Sequence, residues 1–251
     1  MLHIVGAGSG AADLITVRGK ALLESADVII YAGSLVNPEL LDYAKEGAKV
    51  YNSAEMDLGE VIAAITEAEG LGLTTVRLHT GDPSLYGAIA EQIAACDELG
   101  IEVDVTPGVS SFLAAAAAMK AEYTLPGVTQ TVILTRMQGR TAVPEKESIE
   151  SLARHGASMA IFLSTGMLGE LSERLIQGGY AADSSAAIVY KASWPDEAVY
   201  RCSVADLEKT AKENGVEMTA LVLVGGFLSE PFELSKLYSP DFSHAYRKAK
   251  S

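Results

Sequence analysis

The feature that most constrains this chain is the alternation, over its first hundred residues, of short β-branched runs with segments of helical spacing. Strand patterns at Leu2–Val5, Val28–Tyr31, Lys49–Tyr51, Thr74–His79 and Ile101–Val105 are separated by helical patterns at Val17–Ser25, Pro38–Lys45, Leu58–Glu69 and Ala88–Leu99. Each helix returns the chain to the edge it left, so successive strands run the same way and this half predicts a parallel sheet. The segments after the strands then share one edge, where helix amino termini also gather and where open α/β sheets bind ligands.

Those segments are Gly6–Gly10, Tyr31–Leu35, Thr80–Gly87 and Thr106–Ser111, all small or glycine-rich. Gly81 lets another backbone or a ligand approach, and Pro83 fixes φ in the turn while removing a donor. Ser110 or Ser111 N-caps a helix over Phe112–Met119, whose alanine run is strongly helix-forming. No Ser-His-Asp, Cys-His or metal-ligand set assembles, and of the four histidines only His79 lies beside a loop, as a strand-end residue or a general base. Loops that bind through backbone without an activated side chain suit a reaction whose reactive group a cofactor carries.

After Leu125-Pro126-Gly127 a second series begins, with strands at Thr129–Thr135 and Met159–Leu163 and helices at Glu147–His155 and Met167–Gln177, stopped by Gly178-Gly179. Strands Ala186–Tyr190 and Ala198–Cys202, joined by a hairpin end at Trp194-Pro195-Asp196-Glu197, precede helix Val204–Asn214 and strand Ala220–Val224. A hairpin among crossovers makes this sheet mixed. The fold class expected is α/β, with a parallel-sheet domain over 1–120, a mixed-sheet domain over 121–251 and the active site in the cleft between them. With 251 residues, 49% of them hydrophobic, the chain can supply such cores.

A net charge of −14 argues against nucleic acid as a partner. Cys96 and Cys202 have no metal-like spacing and read as reduced, buried thiols, so no metal is expected. There is no basic leader and no apolar run near the ~18 residues of a membrane span, so the expectation is a cytoplasmic protein with no membrane partner. Gly6-Ala7-Gly8-Ser9-Gly10-Ala11 has the form of a dinucleotide fingerprint. Yet the helix opens only behind Asp13 and Thr16, and Asp27 precedes the second strand rather than ending it. A nicotinamide-dependent reductase is therefore the rival from another class, and a noncatalytic cofactor-binding protein a third reading.

Five segments together decide between these: Val5-Gly6-Ala7-Gly8, Asp13 to Gly19, Ala26 to Tyr31, Gly81-Asp82-Pro83 with Tyr86-Gly87, and Thr106 to Ser111. In this order they resemble the tetrapyrrole methylases, S-adenosylmethionine (SAM) enzymes of corrin and sirohaem synthesis, over residues 2 to about 228. Within that family, Tyr31 to Val36, His79 to Gly87 and Leu125 to Arg136 resemble the members that methylate carbon 11 of precorrin-4 or cobalt-precorrin-4; another corrin-ring carbon is the alternative. One departure stands out, because the family usually has Gly-Pro-Gly-Asp-Pro where this chain has Gly8-Ser9-Gly10-Ala11-Ala12.

The resemblance implies a cofactor, SAM, touching Thr80, Gly81, Asp82, Pro83, Leu85, Tyr86, Ser110 and Ser111, then Leu163, Ala192, Thr219 and Ala220. On the residues alone, Leu163 and Ala220 would be core, and Asp82 could instead cap the following helix. The anionic tetrapyrrole requires cations locally, for which Arg136, Lys120, Lys191 and Arg140 are the candidates. A homodimer is expected, and no general base is assigned.

Overall fold

The computed structural model describes residues 1–229 and 231–249, with the backbone alone at Ser34 and Tyr238. Strands β1 (Leu2–Gly6), β2 (Val28–Tyr31), β3 (Lys49–Asn52), β4 (Thr75–His79) and β5 (Val103–Thr106) form a sheet in the order β3-β2-β4-β1-β5. Every pairing in it is parallel, as the alternation required. Helices α1 (Val17–Ser25), α2 (Leu58–Gly70), α3 (Ile89–Glu98) and α4 (Ser111–Met119) fall within a residue or two of the sequence pattern. Thr16 caps α1 by accepting from the Gly19 amide, and Asp57 and Glu60 form a reciprocal capping box on α2.

In the second sheet β6 (Val132–Arg136), β7 (Ser158–Phe162), β8 (Ser185–Tyr190), β9 (Ala198–Ser203) and β10 (Ala220–Val224) take the order β6-β7-β10-β8-β9. β6 and β7 are parallel, whereas β10 is antiparallel to both β7 and β8, so the sheet is mixed. Helices α5 (Ile149–Ala153), α6 (Leu168–Gln177) and α7 (Leu207–Glu213) belong to this second series.

Four elements differ from the sequence pattern: the helix expected at Val204–Asn214 opens as a 3₁₀ turn, Val204–Asp206, before α7, and three others differ each for a local reason. The segment expected to be a helix at Pro38–Lys45 is a 3₁₀ helix, Pro38–Tyr43, closed by Ala44 N–H donating three residues back to Leu41. The helix expected at 147–155 divides at Ser148, whose hydroxyl caps α5 after a 3₁₀ turn. β6 starts three residues late because the Val128 and Thr129 amides donate to the Leu125 carbonyl in a turn.

The first sheet is covered on both faces, with Ile4, Ile30 and Ile65 in one layer and Val5, Ile29 and Leu78 in the other. Met159, Ile161, Leu171 and Val222 centre a third cluster on the second sheet. Each fully buried Leu or Ile contributes on the order of 2 kcal/mol, which fixes the strands whose ends carry the candidate residues. The molecule comprises two compact units: Met1–Ala115 with Lys191–Ala198, and Ala116–Tyr190 with the chain from Val199 onward.

Candidate active site

At the carboxyl edge of the first sheet, three loops interlock through their backbones. Gly8 and Gly81 form a reciprocal pair, Gly81 N–H to Gly8 O at 2.9 Å and Gly8 N–H to Gly81 O at 3.2 Å, while Ala7 N–H donates to His79 O at 2.7 Å. A Cβ on Gly108 would sit 2.1 Å from the Gly81 oxygen, and one on Gly6 would sit 2.6 Å from the Gly108 Cα. Glycine at 6 and 108 is thus required for the loops after β1, β4 and β5 to meet. Gly81 differs: its φ of +61° belongs to the left-handed region, and an added Cβ would meet Ser110 Cα only at 3.6 Å.

Asp82 closes this arrangement. One carboxylate oxygen accepts from the Gly108 amide at 2.9 Å and the other from the Ser84 amide at 2.9 Å. Burial pushes its pKa up, but the bonds from the Ser84 hydroxyl and the Gly108 and Ser84 amides outweigh burial and hold it below the usual carboxylate range. It does not cap α3, which follows Ala88 without a side-chain cap. Its charge is spent on the β4 loop and its tie to the β5 loop.

Behind the loop the central strand carries two buried bases. The Arg77 guanidinium donates to Gln92 Oε1 and to the Ile30 carbonyl, each at 3.0 Å, and burial lowers its pKa to about 10. His79 is 4% exposed, its Nε2 has no hydrogen-bond partner among the described residues, and burial together with the Arg77 charge takes its pKa down to about 3. A histidine so far below neutrality is a poor general base at pH 7, and the strand-end reading of His79 prevails.

In the second sheet the candidates lie along one edge. Arg136 at the end of β6 pairs with Phe162, directly before Leu163, and Ala220 at the start of β10 pairs with Tyr190, directly before Lys191. Because β10 is antiparallel to β7, its beginning meets the end of β7, which brings Leu163, Thr219 and Ala220 together. Leu163 is 63% exposed, so its reading as a core residue fails, while Ala220 is half-buried.

The backbone gives an independent sign. Among the described residues seven that are not glycine have positive φ: Tyr86, Ala88, Lys120, Leu163, Lys191, Ser193 and Thr219. Five of these, Tyr86, Lys120, Leu163, Lys191 and Thr219, are candidates from the sequence, and Ser193 adjoins a sixth candidate, Ala192. Such conformations are costly outside glycine and asparagine, and they concentrate at ligand clamps.

The model of the Tetrapyrrole (Corrin/Porphyrin) Methylases matches residues 1–208. The chain belongs to the tetrapyrrole methylase family. It is 51% identical to a cobalt-precorrin-4 C(11)-methyltransferase of Methanocaldococcus jannaschii, an alignment covering 98% of this chain and 95% of that one. It is 44% identical to a precorrin-4 C(11)-methyltransferase of a Sinorhizobium species, over 98% of each. The crystal structure of a cobalt precorrin-4 methyltransferase of cobalamin biosynthesis superposes with a TM-score of 0.89 at 45% identity, covering 91% of this chain and 95% of that chain.

In this tetrapyrrole methylase the first glycine loop, where the resemblance leads one to expect a proline in place of Ser9, is tied to the connection between β8 and β9. Ser9 shares a hydrogen bond with Ser193 Oγ at 2.8 Å, and that oxygen also accepts from the Ala11 amide at 3.1 Å. Trp194 lies against Gly10, where a Cβ would fall 2.2 Å from its Cδ1. The sequence reading of the family motifs missed Ser193 and Trp194; the signal was the length of the β8 to β9 connection, Lys191 to Glu197, far beyond a two-residue turn.

The proposed substrate cations have different fates. Arg136 donates to the carbonyls of Met137, Thr141 and Ala142 at 3.0–3.3 Å, organising its own loop, and lines a cavity of about 330 Å³ with Glu150 and Arg174. Lys191 Nζ donates to Asp196 Oδ2 at 2.5 Å. Lys120, one residue past α4, and Arg140 are exposed.

Proposed function

We propose that this chain transfers a methyl group from SAM to carbon 11 of precorrin-4 or cobalt-precorrin-4, a step in building the corrin ring of cobalamin. The observation that carries this reading is end-to-end identity of 44–51% with relatives named for that reaction. SAM supplies a methyl group already activated on a sulfonium, so this chain's own residues need only bind and orient. The site fits such a guest. Gly81 turns left-handed beside Ser110, whose Cα would lie 3.6 Å from an added Cβ, and Gly6 and Gly108 bring three loops close enough for their backbone groups to act together.

In this reading Thr80 to Tyr86, with Ser110 and Ser111, form the wall on which the cofactor rests. Asp82 holds that wall rigid by tying Gly108 to its own turn. Leu163, Ala192, Thr219 and Ala220 supply further contacts, and the strained φ of Leu163 and Thr219 supports a binding role for them. Lys120 and Arg136 are the proposed partners of the substrate's carboxylates, with Lys191 acting through its pair with Asp196. Holding donor and acceptor in line is worth about 7 kcal/mol or more in well-oriented systems, enough to make positioning the main catalytic device. Assembly as a homodimer and a cytoplasmic location complete the proposal.

The test is incubation of the purified chain with methyl-labelled SAM and each acceptor separately. One acceptor should gain a single labelled methyl with matching release of S-adenosylhomocysteine. Absence of transfer to both, alongside firm S-adenosylhomocysteine binding, would retain the cofactor and reject the acceptor.

A further inference from the structure

The segment Lys191–Ala198 joins two strands of the second sheet, yet it packs as part of the N-terminal unit. It is under backbone strain at both ends of Ala192, with φ of 44° at Lys191 and 68° at Ser193, and Ala192 itself is buried. Strain of this kind relaxes unless the surroundings over-determine it. Here they do so at one spot. The Ser193 hydroxyl meets the Ser9 hydroxyl and the Ala11 amide, the Ser193 amide donates to Glu197 Oε2 at 2.6 Å, and the Trp194 indole occupies the space a side chain on Gly10 would need. From its other side Gly10 is held by the buried Asn37, whose Nδ2 donates to the Gly10 carbonyl at 2.8 Å.

We propose that Ser193 and Trp194 are positioning residues: by clasping the first glycine loop they hold Ala192 in its cofactor-contacting place, and Ser9 is the matching half of the clasp. The inference rests on the reading that Ala192 lies against SAM. Neither Ser193 nor Trp194 touches the reacting atoms; both act through the backbone between Lys191 and Trp194. Three pieces of the sequence that looked unrelated meet here, namely the atypical Ser9-Gly10-Ala11, the residue after the Tyr31–Val36 motif, and the long connection between β8 and β9.

Trp194 is the single tryptophan of the chain, so its fluorescence reports the clasp without labelling. The experiment compares wild type, Ser193→Ala, Ser9→Ala, the double variant and Gly10→Ala by calorimetric titration with S-adenosylhomocysteine, Trp194 emission and urea denaturation. Ser193→Ala should weaken binding about tenfold through displacement of Ala192, with the loss in turnover appearing mainly as a higher KM for SAM. Its urea midpoint should stay close to that of wild type. Ser9→Ala should cost less, and adding it to Ser193→Ala should cost nothing more, because Ser9 acts only through Ser193. Ser9→Thr, which keeps a hydroxyl, should restore binding. Gly10→Ala must displace the indole, so a red-shifted emission should accompany the same loss.

Binding within about twofold of wild type in Ser193→Ala, or in a folded Gly10→Ala with shifted emission, overturns the clasp while leaving the cofactor assignment intact. A wild-type protein that fails to bind S-adenosylhomocysteine overturns the cofactor assignment itself, and the clasp with it.

Discussion

The two halves of this chain present their candidate residues by opposite means. In the N-terminal unit the loops are contiguous, and glycines let three backbones touch: a reciprocal Gly8 and Gly81 pair, and Gly108 packed on Gly6 and Gly81. In the second sheet the candidates are single residues beside strand ends, and Leu163 and Thr219 are ordinary side chains forced into left-handed backbone. The first region achieves close approach chiefly by leaving side chains out, with Tyr86 as its strained candidate, whereas the second relies on side chains held at a conformational cost. The first kind of site is written in residue type and the second in dihedral angles.

The strongest way to break this comparison is Gly108→Val. A side chain there must displace the Gly81 carbonyl, against which even the Cβ would sit at 2.1 Å. The expected loss is about 3 kcal/mol of stability in urea titration, the upper part of the range for overpacking. A variant as stable as wild type would mean the loops are not interlocked as described.

Gly81→Val probes the same loop with less crowding, since its Cβ has room but its φ of +61° does not suit valine. S-adenosylhomocysteine binding should fall by about a hundredfold or more, since a loop shifted by an ångström costs about that much, while a cooperative unfolding transition remains. Unchanged affinity would remove this loop from the cofactor site.

In the second region Leu163→Gly removes the strain and the side chain together. Relief of left-handed backbone, about 1 kcal/mol, offsets the added entropy of glycine in the unfolded chain, so stability should move by less than about 1 kcal/mol. Binding should nonetheless weaken several-fold by calorimetry. A gain in stability with unaltered binding would make the strain at Leu163 a structural accident.

At pH 7 the smallest expected effect concerns His79. Its folded pKa, about 3, lies below the ordinary 6.5, so the unfolded chain binds the proton more readily. Its contribution to stability is therefore complete above about pH 6.5 and is lost as the pH falls from there toward about 3, at up to ~1.4 kcal/mol per unit. Between pH 6.5 and 5, above the carboxylate range, His79→Phe should flatten this slope while changing stability little at pH 7. A slope the same as wild type would mean that His79 is not held neutral.

Much of the fold was legible because its cause is local. Alternating patterns gave the parallel sheet, Thr16 acted as the cap of α1, and the second sheet is mixed as expected, with β10 antiparallel to β7 and β8. What escaped was set by folded contacts and backbone turns rather than by residue type. The residue type of Asp82 allows a helix-capping or a ligand-binding acid, and does not show that the amide of Gly108, 26 residues away, takes one of its oxygens. The residue type of Arg136 suggests a docking cation, but does not show that its own loop folds back to supply three carbonyls. Leu163 reads as core because hydrophobicity is visible in a sequence and the left-handed turn that exposes it is not.

The central claim is methylation at one carbon of one macrocycle, and the most direct measurement is NMR of the product formed from carbon-13 methyl-labelled SAM with precorrin-4 and with cobalt-precorrin-4. The account predicts one new methyl resonance, correlated to carbon 11, in at least one of the two products. A labelled methyl on any other ring carbon would contradict it, leaving a tetrapyrrole methylase with a different position of attack.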